Sequence, residues 1–338
     1  MSTARAVWFE SPGVAAVREE PLREPGAGEV LVHAICSGIS AGTERLVLSG
    51  AVPPEAHAIM ALPQMRGSFD LPVSYGYALV GRIEGVGPGV EPRRLGERVL
   101  LLHPHHDRLI APINTVRPLP EGPPSERLVL LPSLETAINV IWDAGVALGD
   151  RVLITGLGVI GLLIAHLAAH AGAVEIVAVD PDPNRRALAL ALGATAAIAE
   201  PDPAVVAECD VSIEVSGSPR ALAALVEHAG LEASVIVASW YGSSVAALAL
   251  GGRFHPHRVT LRSSQVGRID PRRSARWSYA RRWALAGELC CDAELDRLIA
   301  PSVPLSEAPA LYSELAAGVR WSPPQRVYDM IRRGPEPV

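Results

Sequence analysis

Three glycines spaced Gly156-x-Gly158-x-x-Gly161 follow the apolar run RVLIT and open the Ala/Leu-rich stretch VIGLLIAHLAAHAG. The chemistry offered by that spacing is phosphate binding. The first glycine permits a tight turn, the second lets backbone approach a pyrophosphate, and the third lets helix and strand pack closely. Anionic oxygens would then meet the backbone N–H groups of Gly158, Val159, Ile160 and Gly161 at the positive end of a helix. Three glycines alone also fit an ordinary strand-to-helix turn. The strand before them and the helix after them favour the dinucleotide reading. A second strand-like run, EIVAVD, closes on Asp180, at the distance expected of an acid that accepts hydrogen bonds from the adenosine ribose hydroxyls and repels a 2′-phosphate. NAD is therefore expected. Arg185 and Arg186 follow at a helix start, where arginines are commonly solvated, and they keep NADP open.

The elements that must position these groups have two textures. As far as about Pro124, short β-like runs (RAVWFE, EVLVHAIC, ALVGRIEGVG, RVLLL) are punctuated by Pro and Gly, which predicts a compact, partly barrel-like β domain. From RVLITG onward, strand-like runs alternate with helical segments: RVLIT, EIVAVD, ATAAIAE, VSIEV, SVIVAS and VTLRS. That alternation predicts an α/β fold with a doubly wound parallel sheet. RRSARWSYARRWALAGELCCDAELDRLI is expected to be helical and amphipathic, PQRVYDMI to form a closing strand, and the tail RRGPEPV to fray.

Bulk composition narrows the function classes. A chain of 338 residues, 49% hydrophobic and 20% charged, can build two packed domains. The net charge of −6 gives no bulk electrostatic reason to bind nucleic acid or an anionic membrane. All basic residues other than histidine are arginine, which reads as compositional bias and not as function. MSTARAVWFESPG lacks a basic segment followed by an apolar core, so a cytoplasmic location is expected. The apolar stretch around the glycine motif carries glycines and two histidines and suits a buried helix better than a membrane span. Cys36, Cys209, Cys290 and Cys291 show no CxxC spacing, so neither a disulfide framework nor a structural zinc site is indicated.

Taken in order, GAGEVLVHAICSGISAGTE, GRIEGVGPGV, LGERVL, AGVALGDRVLITGLGVIG and ALALGA make the chain resemble the medium-chain dehydrogenase/reductase superfamily, the zinc-type alcohol dehydrogenase-like proteins, over nearly its whole length. SGISAGTERL is most similar to the branch that contains bacteriochlorophyllide a dehydrogenase and related bacterial oxidoreductases. The resemblance implies a GroES-like β-rich catalytic domain over 1–124, completed by a C-terminal segment 275–338. It also implies a Rossmann NAD-binding domain over 125–274, and a homodimer in which the last sheet strand pairs across the interface. Zinc members carry a cysteine in the turn after GI, a Gly-His-Glu motif and a third ligand upstream of the nucleotide domain. Here Ser40 or Ala41, then Tyr77 and Ala78, then Pro132 stand at those positions, and none is a usual zinc ligand. Cys36 precedes the turn, and no four-cysteine lobe follows RVLLL. No zinc is expected. The remaining metal candidate is His103, His105, His106 and Asp107. Strand alternation would put His103 and His105 on one face, two ligands where zinc takes three or four, and the alternative is that these side chains line a cleft mouth or face solvent.

Without a metal, hydroxyl, phenol or imidazole groups must manage the charge on a reacting oxygen. The resemblance assigns proton transfer to Thr43 and allows the Tyr77 phenol to reach the substrate oxygen, with Glu44 and His103 as reserve acid–base groups. Thr43 alternatively caps the helix that ERLVL begins, and Tyr77 alternatively packs between domains. Ser239 and Tyr241 in SWYG, and Gln265 in RSSQVG, lie where relatives contact the nicotinamide, largely through backbone. Trp240 and Tyr241 either wall the substrate pocket or pack in a core or interface. The Arg-rich RFHPHR and DPRRSARWSYARR either hold an anionic substrate or form a solvated face. The expected function is a zinc-independent NAD(H)-dependent oxidoreductase interconverting a secondary alcohol and a ketone. The insertion Ser49–Pro72, read as a cleft cover, suggests a bulky small-molecule substrate. The alternatives are C=C reduction of the enoyl or quinone kind, and dinucleotide binding without turnover.

Overall fold

A computed structural model describes residues 2–206 and 208–331, and the tail RRGPEPV lies outside the described residues. The chain forms two compact units. One comprises Met1–Leu130, Ile299–Trp321 and Gln325–Val338, and the other comprises Leu131–Leu298 with Ser322–Pro324.

In the second unit a six-stranded sheet runs in the order Ala196–Ile198, Glu175–Val179, Arg151–Thr155, Cys209–Glu214, Ala229–Val237, Thr260–Ser263. Every neighbouring pair is parallel. In chain order this is 3-2-1-4-5-6, the Rossmann arrangement, and the sheet reverses direction of growth between its first and fourth strands. Central strands of such a sheet are covered on both faces, which explains why RVLIT and EIVAV are apolar without alternation and buried beyond their first residue. The helix Val159–Ala171 is buried from Gly161 to Ala168 and ends at Gly172, whose φ of 92° is the left-handed conformation that glycine adopts without strain. The α/β class and doubly wound sheet expected from the sequence are present.

The first unit carries two sheets. A four-stranded one orders Val14–Leu22, Ser2–Ser11, Val73–Ser74 and Arg66–Gly67. In the larger sheet Glu29–Gly38 is the hub, pairing with Ala78–Val86, Arg108–Pro112 and Val327–Asp329, all antiparallel. Alternation is legible in that strand, since Val30, Val32, Ala34 and Cys36 point inward. The closing strand expected in PQRVYDMI is Val327–Asp329. The stretch Ser49–Pro72 lies mostly at this unit's surface and is anchored by Val52, Ala56, Met60 and Phe69 in its core, with the Tyr75 hydroxyl donating to the Met60 carbonyl at 2.8 Å. Among the described residues no helix is long and apolar enough to cross a membrane.

Residues 275–298, read from sequence with the first domain, pack inside the second unit. The cause is Arg282, 2% exposed on the helix Tyr279–Leu289. Its guanidinium donates to Asn139 Oδ1 at 2.6 Å, to the Val266 carbonyl at 2.7 Å and to Glu135 Oε1 at 3.1 Å, which binds this helix to Leu131–Ala144. Replacing Arg282 with Ala removes the donor from the buried Asn139 Oδ1 and the cation from the largely covered Glu135, and is expected to cost about 3–5 kcal/mol in a denaturant titration. Replacing the exposed neighbour Arg281 with Ala is expected to stay within about 0.5 kcal/mol.

Candidate functional site

The glycine loop lies at the carboxyl end of Arg151–Thr155, where the sheet reverses. Gly156 has a φ of 94°, and a Cβ there would stand 2.6 Å from the Ser216 backbone in the loop after the fourth strand. A Cβ on Gly161 would come within 1.9 Å of the Gly156 carbonyl oxygen. Both glycines therefore serve close backbone approach. Gly158 differs, since a Cβ there would meet nothing within 4 Å. It is the N-cap of Val159–Ala171 and makes no side-chain cap, while the first-turn N–H groups of Val159, Ile160 and Gly161 have no acceptor within the helix. Open space beside uncapped donors at a helix start fits the diphosphate of a dinucleotide.

Around this loop the unit builds a fixed rim. Asp180 is 1% exposed, its Oδ2 accepting the Leu157 N–H and its Oδ1 the Asp182 N–H, both at 2.9 Å. Arg185 and Arg186 are half-buried, unlike the solvated pair expected. Arg186 donates to the carbonyls of Asp180 and Pro181, each at 2.8 Å, which brings a cation to the strand end that carries the acid. Glu214 is fully buried, and its Oε1 accepts from the Ser216 N–H and hydroxyl and from the Gly217 N–H. Its Oε2 accepts the Tyr241 hydroxyl at 2.7 Å, and the Ser239 hydroxyl oxygen accepts the Gly217 N–H at 2.9 Å. Burial, and then the Glu214 carboxylate, push the Tyr241 phenol well up. Tyr241 and Ser239 thus tie neighbouring strand ends together, and Trp240 between them is exposed. The Gln265 side chain accepts the Gly267 N–H at 2.6 Å and its carbonyl accepts from Asn139, so it shapes its own turn. Sequence reasoning passed over Glu214, although a charge ending the apolar run VSIEV was the available signal.

In the first unit, the turn GISAGTERL leads into the helix Ala41–Leu48, whose N-cap is Ser40, not Thr43. Thr43 lies in the first turn, half-buried. Glu44 is fully withdrawn from solvent: its Oε1 accepts the Ser40 N–H at 2.7 Å, and its Oε2 accepts the Tyr312 hydroxyl and meets His105 Nε2 at 3.0 Å. His105 continues to Ser37 through Nδ1 at 2.6 Å, and Tyr328 packs edge-on against its ring. Burial, and then the Glu44 charge, hold the Tyr312 and Tyr328 hydroxyls well above the usual phenol range. Glu44 is therefore an anchor, contrary to the reserve acid–base role expected of it. Tyr77 is half-buried, and its carbonyl accepts the His103 N–H at 3.1 Å.

His103, His105, His106 and Asp107 do not share a face. The strand ends at Leu102, Pro104 interrupts any alternation, and all three imidazoles are buried instead of lining a mouth. The rings of His103 and His106 pair edge-on at 5.1 Å, His105 joins Glu44, and Asp107 pairs with Arg5 at 2.7 Å. Ser40, Ala41, Tyr77, Ala78 and Pro132, the residues that the resemblance sets at the zinc positions, supply no thiolate, imidazole or carboxylate. His103 donates through Nδ1 to the Pro104 carbonyl at 2.7 Å, and burial, followed by the nearby His106, pushes it well below the usual range. Burial, then the Arg66 guanidinium 2.8 Å from its Nε2, push His106 down to about 4. Both rings are neutral at pH 7, which removes His103 as a proton donor there. With an ordinary value of 6.5 in the unfolded chain, the contribution of neutral His106 is complete above that pH and disappears as pH falls toward about 4. It is expected to be on the order of 3 kcal/mol, and His106→Gln is expected to flatten the loss of melting temperature between pH 7 and 4.

The zinc-binding dehydrogenase family matches residues 159–285. The D-guloside 3-dehydrogenase of Escherichia coli K12 is 33% identical over 120 residues, which are 34% of this chain and 33% of that protein, so the chain spans about a third of the length of this curated relative. The 2-desacetyl-2-hydroxyethyl bacteriochlorophyllide A dehydrogenase of Cereibacter sphaeroides is 27% identical over 273 residues, 71% of this chain and 75% of that protein. A solved zinc-binding dehydrogenase of Sinorhizobium meliloti 1021 bound to NADP superposes with a TM-score of 0.77 at 22% identity, covering 97% of this chain and 100% of that one. Its fold and the sequence matches agree with the strand order, the glycine loop and the β-rich unit completed by the C-terminal strand. The chain is therefore similar in sequence to zinc-type dehydrogenases and shares the fold of the solved one.

Proposed function

We propose that the chain is an NAD(H)-dependent oxidoreductase that interconverts a secondary alcohol and a ketone on a bulky small molecule without a catalytic zinc. The observation that carries this reading is the open space at Gly158, beside uncapped helix N–H groups at the point where the sheet reverses. The bound nicotinamide would supply the hydride chemistry. The chain's own part begins with the N–H groups of Val159, Ile160 and Gly161 on the diphosphate, with the Asp180 carboxylate at the strand end facing the ribose. Asp180 supports NAD, while the Arg186 guanidinium at the same strand end narrows its margin over NADP. Proton handling falls to the Thr43 hydroxyl and the Tyr77 phenol, because Glu44 and His103 are buried and engaged. Non-ligating side chains at the family's zinc positions support chemistry without a Lewis acid, whose role O–H donors would take over.

In fluorescence titrations NADH is expected to bind more tightly than NADPH, and Gly158→Ala to weaken NADH at least 10-fold. Because Gly158 has a φ of −72°, Ala fits its backbone and the stability loss is expected to stay within about 1 kcal/mol. In a panel of ketones, enones and quinones followed by NADH absorbance, a ketone is expected to turn over in the presence of a chelator. Thr43→Ala and Tyr77→Phe are each expected to lower kcat by ~10²-fold or more. Chelator-sensitive turnover would remove zinc independence, consumption of enones or quinones alone would turn the reading to C=C reduction, and absence of dinucleotide binding would end it.

We also propose a homodimer. Its support is the edge strand Thr260–Ser263, mostly exposed, with Leu261 38% accessible beside backbone groups free to pair. Light scattering is expected to give twice the 35.7 kDa of one chain, and Leu261→Lys to shift the particle toward monomer.

A further inference from the structure

His166 and His170 lie on the helix that the glycine loop opens, yet neither belongs to the dinucleotide site. At 1.5 Å per residue they stand about 12 and 18 Å along the axis from Gly158. Four residues apart on a helix, they share one face, and their rings lie 4.4 Å apart between centroids. Asp292, in the turn after Tyr279–Leu289, brings its Oδ2 to 3.1 Å from His166 Nε2. One ligand atom from each of the three lies within 4.8 Å of the others, and among the described residues no other such group of three His, Cys, Asp or Glu donors occurs.

The surroundings hold these donors in ligand orientation. The Nδ1–H of His170 donates to the His166 carbonyl at 2.8 Å, so in the neutral ring Nε2 carries the lone pair. The Leu192 backbone is a further hydrogen-bond partner of the His166 ring, and the Glu294 N–H donates to Asp292 Oδ1 at 2.9 Å, leaving Oδ2 toward the histidines. Metal-binding imidazoles are characteristically fixed by such bonds from the opposite nitrogen to backbone carbonyls. An ion pair between His166 and Asp292 would use one imidazole and leave the second beside it idle. Around a four-coordinate zinc with bonds of ~2.0–2.1 Å, donors stand about 3.3 Å apart, a spacing the His166–Asp292 pair already has and small side-chain rotations would give His170.

We propose that His166, His170 and Asp292 form a binding site for a divalent transition metal of the zinc class, with its fourth position open to water. Two imidazole nitrogens and one carboxylate oxygen suit that ion better than magnesium or calcium, which take oxygen sets. His166 is buried and His170 exposed, so the ion would seat at the surface end of the helix and cross-link it to the turn at Asp292. This site is separate from the reaction proposed above and does not depend on it.

The test is a titration of the whole chain with Co²⁺, read by visible absorption, followed by displacement with Zn²⁺. Because His166 is buried, the variants are His170→Ala and Asp292→Asn at the more accessible positions. One equivalent of cobalt with a d–d spectrum is expected, with affinity at least 10-fold weaker in each variant, while circular dichroism and NADH affinity stay unchanged. Zinc is expected to raise the melting temperature of the parent chain and not of the variants. No cobalt spectrum, or equal affinity in parent and variants, would overturn the proposal.

Discussion

Backbone proximity at the glycine loop constrains the second unit more than any side chain does. With the Gly156 carbonyl where a Cβ on Gly161 would lie at 1.9 Å, helix and strand meet at a separation no other residue permits. Gly156 in turn abuts the backbone of Ser216, so the turn is fitted to the fourth strand's loop as closely as to its own helix. Glu214 keeps that loop in place through three donors around one buried carboxylate oxygen. A phosphate-binding surface made of N–H groups has to be rigid to be useful, because the donors gain little if they must be ordered when the anion arrives.

A different solution holds the first unit. Glu44 draws together the start of its own helix, His105 from 61 residues away and Tyr312 from 268 residues away. A buried carboxylate is costly unless its lone pairs are filled, and here N–H and O–H donors fill them. The GISAGTE turn therefore takes its shape from contacts that close late in the chain, and the half-buried Thr43 and Tyr77 inherit their positions from that scaffold.

Local patterns were legible in the sequence, and long-range partners were not. The glycine spacing, the apolar runs and the acid closing EIVAVD each depend on a few adjacent residues, and the structure arranges them in the order 3-2-1-4-5-6. The histidine run failed the alternation argument because Pro104 ends the strand, after which each ring found a different partner. Glu44 reads as a reserve acid–base group because its partner Tyr312 lies in another part of the chain. Arg282 sits in an arginine-rich run that reads as a solvated face, yet it is buried and three acceptors claim it. Composition cannot separate that arginine from Arg281.

Pairing of Val327–Asp329 with Cys36–Gly38 also bears on how the protein is made. The hub strand of the first unit is synthesised long before this partner, with all of Leu131–Leu298 between them in the chain. During synthesis that edge of the strand stays open until Val327–Asp329 has emerged. The second unit, almost continuous from Leu131 to Leu298, has its full complement of strands well before then. Vectorial synthesis thus gives the later-encoded unit the earlier opportunity to fold, and it leaves the first unit's unfinished sheet as the surface most in need of chaperone protection.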